Sequence, residues 1–594
     1  MPERFRIRRV GFAAIICAGA ALAACSGASQ QLTPTPGRLP AAKTSASRSH
    51  GRAAGCSAVH AYGTKNPQKN GNGSIGQGYS IDFVDKSGIA TAEKPAYLYV
   101  EGGGNYLDTA TGVWTKWPDP APSPSRYEYP LSCFQSTKFY LPPVMSGARV
   151  YISYGYLQDL GASQQPDGDL APGVVPGHKN ANYSTYWDIW EYNFVSSTQI
   201  LTDTSAVDAF GLPLYVTVKH PVAGNLAEYG PRKTYAQIVD AFSSTTGPGK
   251  AAWESLIVWG CTNASPSGTS CTPAMPQPKG IPYRILSPAH ATVTVAPPGK
   301  TTNSKFPVDY LYNNDYFSAP GGPPGTGYDA GYLGYVEKYY EKNAEKTIFA
   351  PYQVWVPSTL AGKPDAGCIT VKADNVPGAI YPCPLYTAKY STAQKAFVFD
   401  LVKPAPKHVA SLGNFPAEVV LDASIFKQAY QQSTFACVNG SSQKCTTTPG
   451  NGIWNNSGIT CPPPGSTLAC FQESYELQVP FYLYKALSAD LTRGVATQLG
   501  DHSVLPCSDP TNCPKAYIGV LPYGKNYYKN PDIVSNLPAV FSDYARILHD
   551  GFVGGWVYAN SYDDYFNQST TSTGYVDEQD HSSGMTVTVN PMNR

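Results

Sequence analysis

Two carboxylates, Glu191 and Asp208, stand seventeen residues apart in a stretch rich in aromatic residues. The first lies in Tyr186-Trp187-Asp188-Ile189-Trp190-Glu191-Tyr192-Asn193-Phe194-Val195. Strand alternation there sends Trp190, Tyr192 and Phe194 to one side and Glu191 and Asn193 to the other. Glu191 is therefore expected to project from the face opposite an aromatic row packed in the core. A hairpin centred near Gln199 and Ile200 would bring Asp208, at the start of a second strand, alongside it. Such a pair suits glycoside hydrolysis: one carboxylic acid protonates the leaving oxygen, while the other carboxylate activates water or attacks directly. Spacing alone does not separate this from two acids on a solvated hairpin.

Other groups carry weaker chemistry. Asp188 falls on the face opposite Glu191 and reads as structural. Thr204 and Ser205 line a groove or make a turn. Asp563 and Asp564 bind sugar, bind a cation or cap a turn. Pro298-Gly299-Lys300-Thr301 follows a strand-like Val-Thr-Val but has Thr294 where a phosphate loop needs its first Gly. No Gly-x-Ser-x-Gly and no His-Glu-x-x-His occurs, which argues against esterase and zinc-protease chemistry.

The N-terminus reads as an export signal. Arg4, Arg6, Arg8 and Arg9 precede an apolar run from Val10 to Ala24, too short to span a bilayer. Leu22-Ala23-Ala24-Cys25 resembles the lipobox of bacterial lipoproteins, which makes Cys25 the lipidated residue and the lipid the only membrane anchor. Residues 26–55, rich in Ser, Ala, Pro and Gly, read as a tether. Without Cys17 and Cys25, twelve of the fourteen cysteines remain, several close in sequence: 261 with 271, 368 with 383, 437 with 445, 461 with 470, and 507 with 513. In an exported chain these suit structural disulfides, with 56 and 133 as a longer bridge. No Cys-x-x-Cys is present and the nine His are scattered, so no metal site and no cofactor are expected.

Charge is low, with 14% Asp, Glu, Lys and Arg and a formal balance of +1. There is no basic stripe for nucleic acid. The 43 Tyr and 9 Trp suit a carbohydrate partner, since aromatic faces stack on sugar rings, although β-rich secreted proteins share this bias. Short strands are expected at 96–100, 138–141, 148–154, 186–195 and 212–220. Helices are expected at 235–242, 251–258, 328–345, 475–493 and 537–549, with strands returning at 396–402 and 555–559. The fold class is mainly β with an α+β part. A signal over 1–24 and a tether over 25–55 precede a β-rich lobe at 56–234 and a mixed α/β lobe at 235–594.

Ser146 to Ser153, the Trp190-Glu191-Tyr192 strand and Val207-Asp208-Ala209-Phe210-Gly211-Leu212-Pro213 resemble the laminaripentaose-producing β-1,3-glucanases of glycoside hydrolase family 64. Tyr544 to His549 and Tyr562-Asp563-Asp564 are similar to that family's closing segment. The resemblance runs in order from about residue 95 to 566. It implies a thaumatin-like β-barrel or sandwich lobe joined to a mixed α/β lobe across a wide groove, and inverting cleavage of β-1,3-glucan to short oligosaccharides. Glu191 matches the general acid and Asp208 the base. Asn193, Thr204, Tyr562, Asp563 and Asp564 fall at substrate-contacting places, and the C-terminal segment is expected to return to the groove. Cys-rich inserts at 261–271 and 434–472 depart from the family pattern. The expected protein is an exported, lipid-anchored monomer acting on glucan; the alternative is a non-catalytic β-glucan-binding lipoprotein on the same fold.

Overall fold

A computed structural model describes parts of the chain between residues 79 and 592. The longer described stretches are 79–91, 94–102, 148–157, 185–196, 199–206, 209–218, 227–245, 250–260, 280–288, 331–343, 385–402, 414–422, 542–555 and 585–592. The expected signal, tether and Cys25 lie outside the described residues, as do Asp208, Tyr562, Asp563 and Asp564.

Strands dominate, arranged in several open sheets with a few helices. Among the described residues no sheet closes into a barrel. The largest sheet runs, in spatial order, Val576–Glu578, Gln199–Thr204, Tyr186–Ser196, Ala148–Tyr154, Ala96–Gly102, Asn105–Leu107 and Trp114–Lys116, with Glu128–Pro130 also pairing Ala96–Gly102. A five-stranded sheet orders Glu228–Tyr229, Leu214–Val218, Met585–Val589, Tyr79–Asp85 and Phe139–Leu141. Both Leu214–Val218 and Met585–Val589 alternate buried with half-buried residues, the signature of a strand with one face on the core.

Those inner faces meet. Ile81, Phe83, Val216, Met585 and Val587 share one apolar cluster with Leu98, Val150, Ile152, Trp190 and Tyr192 of the large sheet. Phe83 meets Trp190 edge-on, ring centres 6.0 Å apart. Tyr192 stacks on Trp190 at 5.3 Å. Trp190 and Tyr192 of the aromatic row expected behind Glu191 are thus core, as the alternation requires, and the side chain of Phe194 lies outside the described residues.

The C-terminal strand Met585–Val589 lies between Tyr79–Asp85, which it pairs in parallel, and Leu214–Val218, which it pairs antiparallel. Helix Asp543–Gly551, capped by Ser542 Oγ accepting from Ala545 N at 3.3 Å, packs near helix Tyr235–Ser243 through Tyr544 and Phe242. The earlier helix carries a capping box: Thr234 Oγ1 accepts from Gln237 N, and Gln237 Oε1 accepts from Thr234 N. The five-stranded sheet therefore contains residues from both ends of the described chain. We expect a chain ending at residue 575 to lose its central strand, aggregate and show no cooperative thermal unfolding by circular dichroism. A cooperative transition within a few degrees of the full chain would contradict this register.

Farther along, a six-stranded sheet built from 352–447 shares the core through Tyr386, Phe397, Phe399, Val419 and Leu421, against Val336 and Tyr340 of helix Gly331–Asn343. Helical residues at 479–480, 483–484, 487–488 and 491–492 bury Val479, Leu483, Leu487 and Leu491 at a four-residue spacing. Cys437 and Cys445 stand opposite each other in register. Directly opposed antiparallel residues have Cα atoms about 4.5–5.5 Å apart, inside the span of a disulfide.

Two element expectations are corrected. The helix expected over 251–258 spans Lys250–Glu254; Leu256 N then donates to Trp253 O, and Ile257–Val258 pairs with Arg284–Leu286 instead. Two β-branched residues with a ladder partner prefer the strand. The strand expected at 555–559 is replaced near its start by a 3₁₀ turn, Val553–Gly555, in which Gly554 and Gly555 have φ of 63° and 79°. Left-handed backbone there excludes an extended ladder.

Candidate active site

Glu191 sits in the middle of Tyr186–Ser196, the strand flanked by Ala148–Tyr154 and Gln199–Thr204. Trp190 and Tyr192 turn to the core, so Glu191 turns to the other face. There Arg149 Nε donates to Glu191 Oε1 at 2.8 Å, with both side chains about a quarter exposed (22% and 24%). Arg149 is the register partner of Glu191, and Asp203 is its partner on the other side. A row of Arg149, Glu191 and Asp203 thus crosses three strands, with Glu101 at the next register position opposite Arg149.

Beneath that row on the same face lies a second apolar cluster: Tyr97, Tyr99, Tyr151, Leu157, Trp187 and Ile189. Glu128 stands opposite Tyr99 in register. Burial pushes its carboxyl up to about 7, against an ordinary value of 4.5. Its folded form then holds a proton that the unfolded form has released. Stability contributed by Glu128 is therefore present below about pH 4.5 and lost as pH rises toward 7. Melting temperatures at pH 4.5, 6 and 8 should fall less steeply in Glu128→Gln than in wild type, with identical slopes counting against the assignment. Asp188, pushed in the same direction, leaves a residual slope.

The hairpin differs from the expected one. Glu191 pairs Asp203 and Ser196 pairs Gln199, so Gln199 and Ile200 lie in the second strand rather than at the turn. The second strand ends at Thr204, so it ends before Asp208. The chain then enters Ala209–Phe210, which pairs Arg284–Leu286 in a separate three-stranded sheet. Thr204 is the partner of Trp190 and is buried on the core side; its carbonyl accepts from Tyr229 Oη at 3.3 Å. It does not share the face of Glu191. Asn193 pairs Leu201 at the next position along from Glu191.

Sequence reasoning missed Arg149 and Asp203. Arg149 lay inside the quoted Ser146–Ser153 block, and strand alternation puts it outward from Val150 and Ile152. Asp203 was hidden because its position depends on where the turn falls, and nothing in Ser196 to Gln199 marks it with Gly, Pro or Asn.

Asp188 is structural, as expected from its face, and more specific than that. It is buried, and its Oδ2 accepts from Gly211 N and Leu212 N, each at 2.8 Å, while Oδ1 accepts from Ile189 N at 2.8 Å. Burial pushes it up to about 7, opposed by these N–H donors and by Arg284. Arg284 lies over the Trp187 ring at 4.6 Å and donates to Thr185 O. On the other flank of Asp208, Tyr544 Oη donates to Ala206 O at 2.5 Å.

Residues 82–298 match the family profile described as β-1,3-glucanase, glycoside hydrolase family 64. That stretch holds Arg149, Asp188, Glu191, Asp203 and Asp208, and the match over it supports a glycoside hydrolase. The protein is also similar to a β-1,3-glucanase domain from Clostridium beijerinckii, at 14% identity and a TM-score of 0.42, covering 87% of this chain and 99% of that one. A laminaripentaose-producing β-1,3-glucanase in complex with laminaritetraose is similar at 16% identity and TM-score 0.40, covering 88% and 100%. The corresponding enzyme from Paenibacillus barengoltzii is similar at 14% identity and TM-score 0.39, covering 89% and 80%. No curated protein sequence matches the chain.

Proposed function

We propose that this glycoside hydrolase cleaves β-1,3-glucan with inversion, Glu191 serving as general acid and Asp208 as base. The observation that carries the reading is the placement of Glu191 mid-strand, partly exposed, on the face opposite the aromatic core, inside the family-matched stretch. Oε1 is engaged by Arg149, so Oε2 is the oxygen that carries the proton to the glycosidic oxygen. Asp208 takes a proton from the water that attacks the anomeric carbon from the opposite side, a geometry that wants carboxyls about 6.5–9.5 Å apart. Asn193, Tyr562, Asp563 and Asp564 contact the sugar chain, in a groove between a thaumatin-like lobe and a mixed α/β lobe.

The proposed cellular setting follows from the N-terminus: export, lipidation at Cys25, and a tether to residue 55 that holds the enzyme, as a monomer, off the membrane. In the described residues no helix is long and apolar enough to cross a membrane. Radiolabelled palmitate incorporated by the wild type and lost in Cys25→Ser tests the anchor.

One observation favours the alternative, a β-glucan-binding protein: an ion pair to Arg149 is also what a fixed, non-reacting carboxylate would have. Incubation with laminarin and curdlan separates the two. Release of short oligosaccharides whose new reducing ends are initially α by NMR supports the inverting enzyme. Retention on curdlan with no release supports the binder.

A further inference from the structure

We infer that Asp188 and Tyr544 are positioning residues: Asp188 holds Gly211 and Leu212 on the strand that carries Glu191, and Tyr544 holds Ala206, so that the chain is fixed on either side of Asp208 in sequence. The inference rests on the reading of Glu191 and Asp208 as the acid and base, and adds to it the contacts that fix the chain on either side of the base. Ala206 stands two residues before Asp208 and Gly211 three residues after it. Both flanks are fixed by side chains from elsewhere in the chain.

On the far flank the tie is to the Glu191 strand itself. Asp188 is three residues before Glu191, and its buried carboxylate receives the consecutive amides of Gly211 and Leu212 on one oxygen. The other oxygen takes Ile189 N, which locks the carboxylate's orientation to its own strand. Gly211 permits the contact: a Cβ there would lie 2.1 Å from Trp187 O. The segment therefore rests directly on the backbone of the Glu191 strand. On the near flank, Tyr544 Oη donates to Ala206 O, and Tyr544 is buried with Phe242 beside it. Tyr229 Oη donates to Thr204 O two residues earlier.

A generic core polar group would satisfy its hydrogen bonds anywhere. Here two such groups, 356 residues apart in sequence, meet the two flanks of one short segment, and one of them belongs to the strand of the partner carboxylate. Tyr544 also lies outside the family-matched stretch 82–298, so this contact ties helix Asp543–Gly551 to the chain two residues before Asp208.

The test uses the full chain and two readouts. Asp188→Asn keeps the side chain's shape but replaces one acceptor oxygen with a donor; Tyr544→Phe removes only the hydroxyl. Small misplacement of a reacting group costs up to about a hundredfold, so each variant should lose about tenfold to a hundredfold in kcat on laminarin with KM within about threefold. Hydrogen–deuterium exchange should rise selectively in peptides covering 205–213. Val587→Ala, which loosens the five-stranded sheet, serves as a control for general destabilisation and should leave kcat unchanged below its melting point. Unchanged kcat in folded Asp188→Asn and Tyr544→Phe, or a kcat loss equalled by Val587→Ala, overturns the inference. If wild type releases no sugar, the hydrolase reading fails, and the exchange readout still decides whether these two residues hold the segment.

Discussion

Glu191→Gln is expected to lose about 10²–10⁴-fold in kcat on laminarin while melting within a few degrees of wild type, the range general acid catalysis supplies. The substitution removes the transferable proton and little else. Gln keeps a carbonyl oxygen in place of Oε1 for Arg149 Nε, and the pair it weakens is partly exposed, worth about 1 kcal/mol or less. The core behind it, Trp190 and Tyr192, is untouched because it faces the other way. The leaving group decides between loss of the acid and loss of shape. A 2,4-dinitrophenyl β-laminaribioside has a leaving group acidic enough to depart without protonation, so Glu191→Gln should recover most of the wild-type rate on it. Asp208→Asn should be equally impaired on both substrates, because water must still be activated. Equal impairment of Glu191→Gln on both would remove the general-acid role.

The part of this site that could be read from the sequence is the part fixed by local periodicity. Tyr186 to Val195 alternates strictly enough that both the strand and the outward face of Glu191 follow from it. The same holds for Ala148–Tyr154 and for helix Tyr235–Ser243 with its Thr234 and Gln237 cap. What failed was register. The observed register, with Ser196 opposite Gln199, shifted every partner, putting Asp203 rather than Asp208 opposite Glu191 and Thr204 on the core side. A register slip changes which residues face each other without changing any local propensity, so a single chain gives little warning of it. Contacts across long separations were equally hidden. Nothing in the amphipathic pattern around Tyr544 says that its hydroxyl meets Ala206, and nothing local says that strand Met585–Val589 pairs with Tyr79–Asp85.

Gly211→Ala is expected to have the largest effect on stability. The added Cβ would sit 2.1 Å from Trp187 O and 3.2 Å from Trp187 C, both backbone atoms in the centre of the large sheet. Neither can turn aside as a flexible side chain can, so the Gly211 segment must move by about an ångström to reach ordinary contact. That movement breaks the 2.8 Å bonds from Gly211 N and Leu212 N to Asp188, leaving a buried carboxylate and two amides short of partners. Each buried group left unmet costs about 1–3 kcal/mol, so the total is a large share of the about 5–15 kcal/mol that holds a domain folded. Gly88→Ala makes the useful contrast: nothing lies within 4 Å of its Cβ, and only its positive φ of 73° is strained, at a cost of about 1–2 kcal/mol. Calorimetry should therefore show a small drop for Gly88→Ala and, for Gly211→Ala, a drop of well over ten degrees or no soluble protein. Equal drops in the two would mean that the 209–212 segment does not rest on the Glu191 strand as closely as these atoms require.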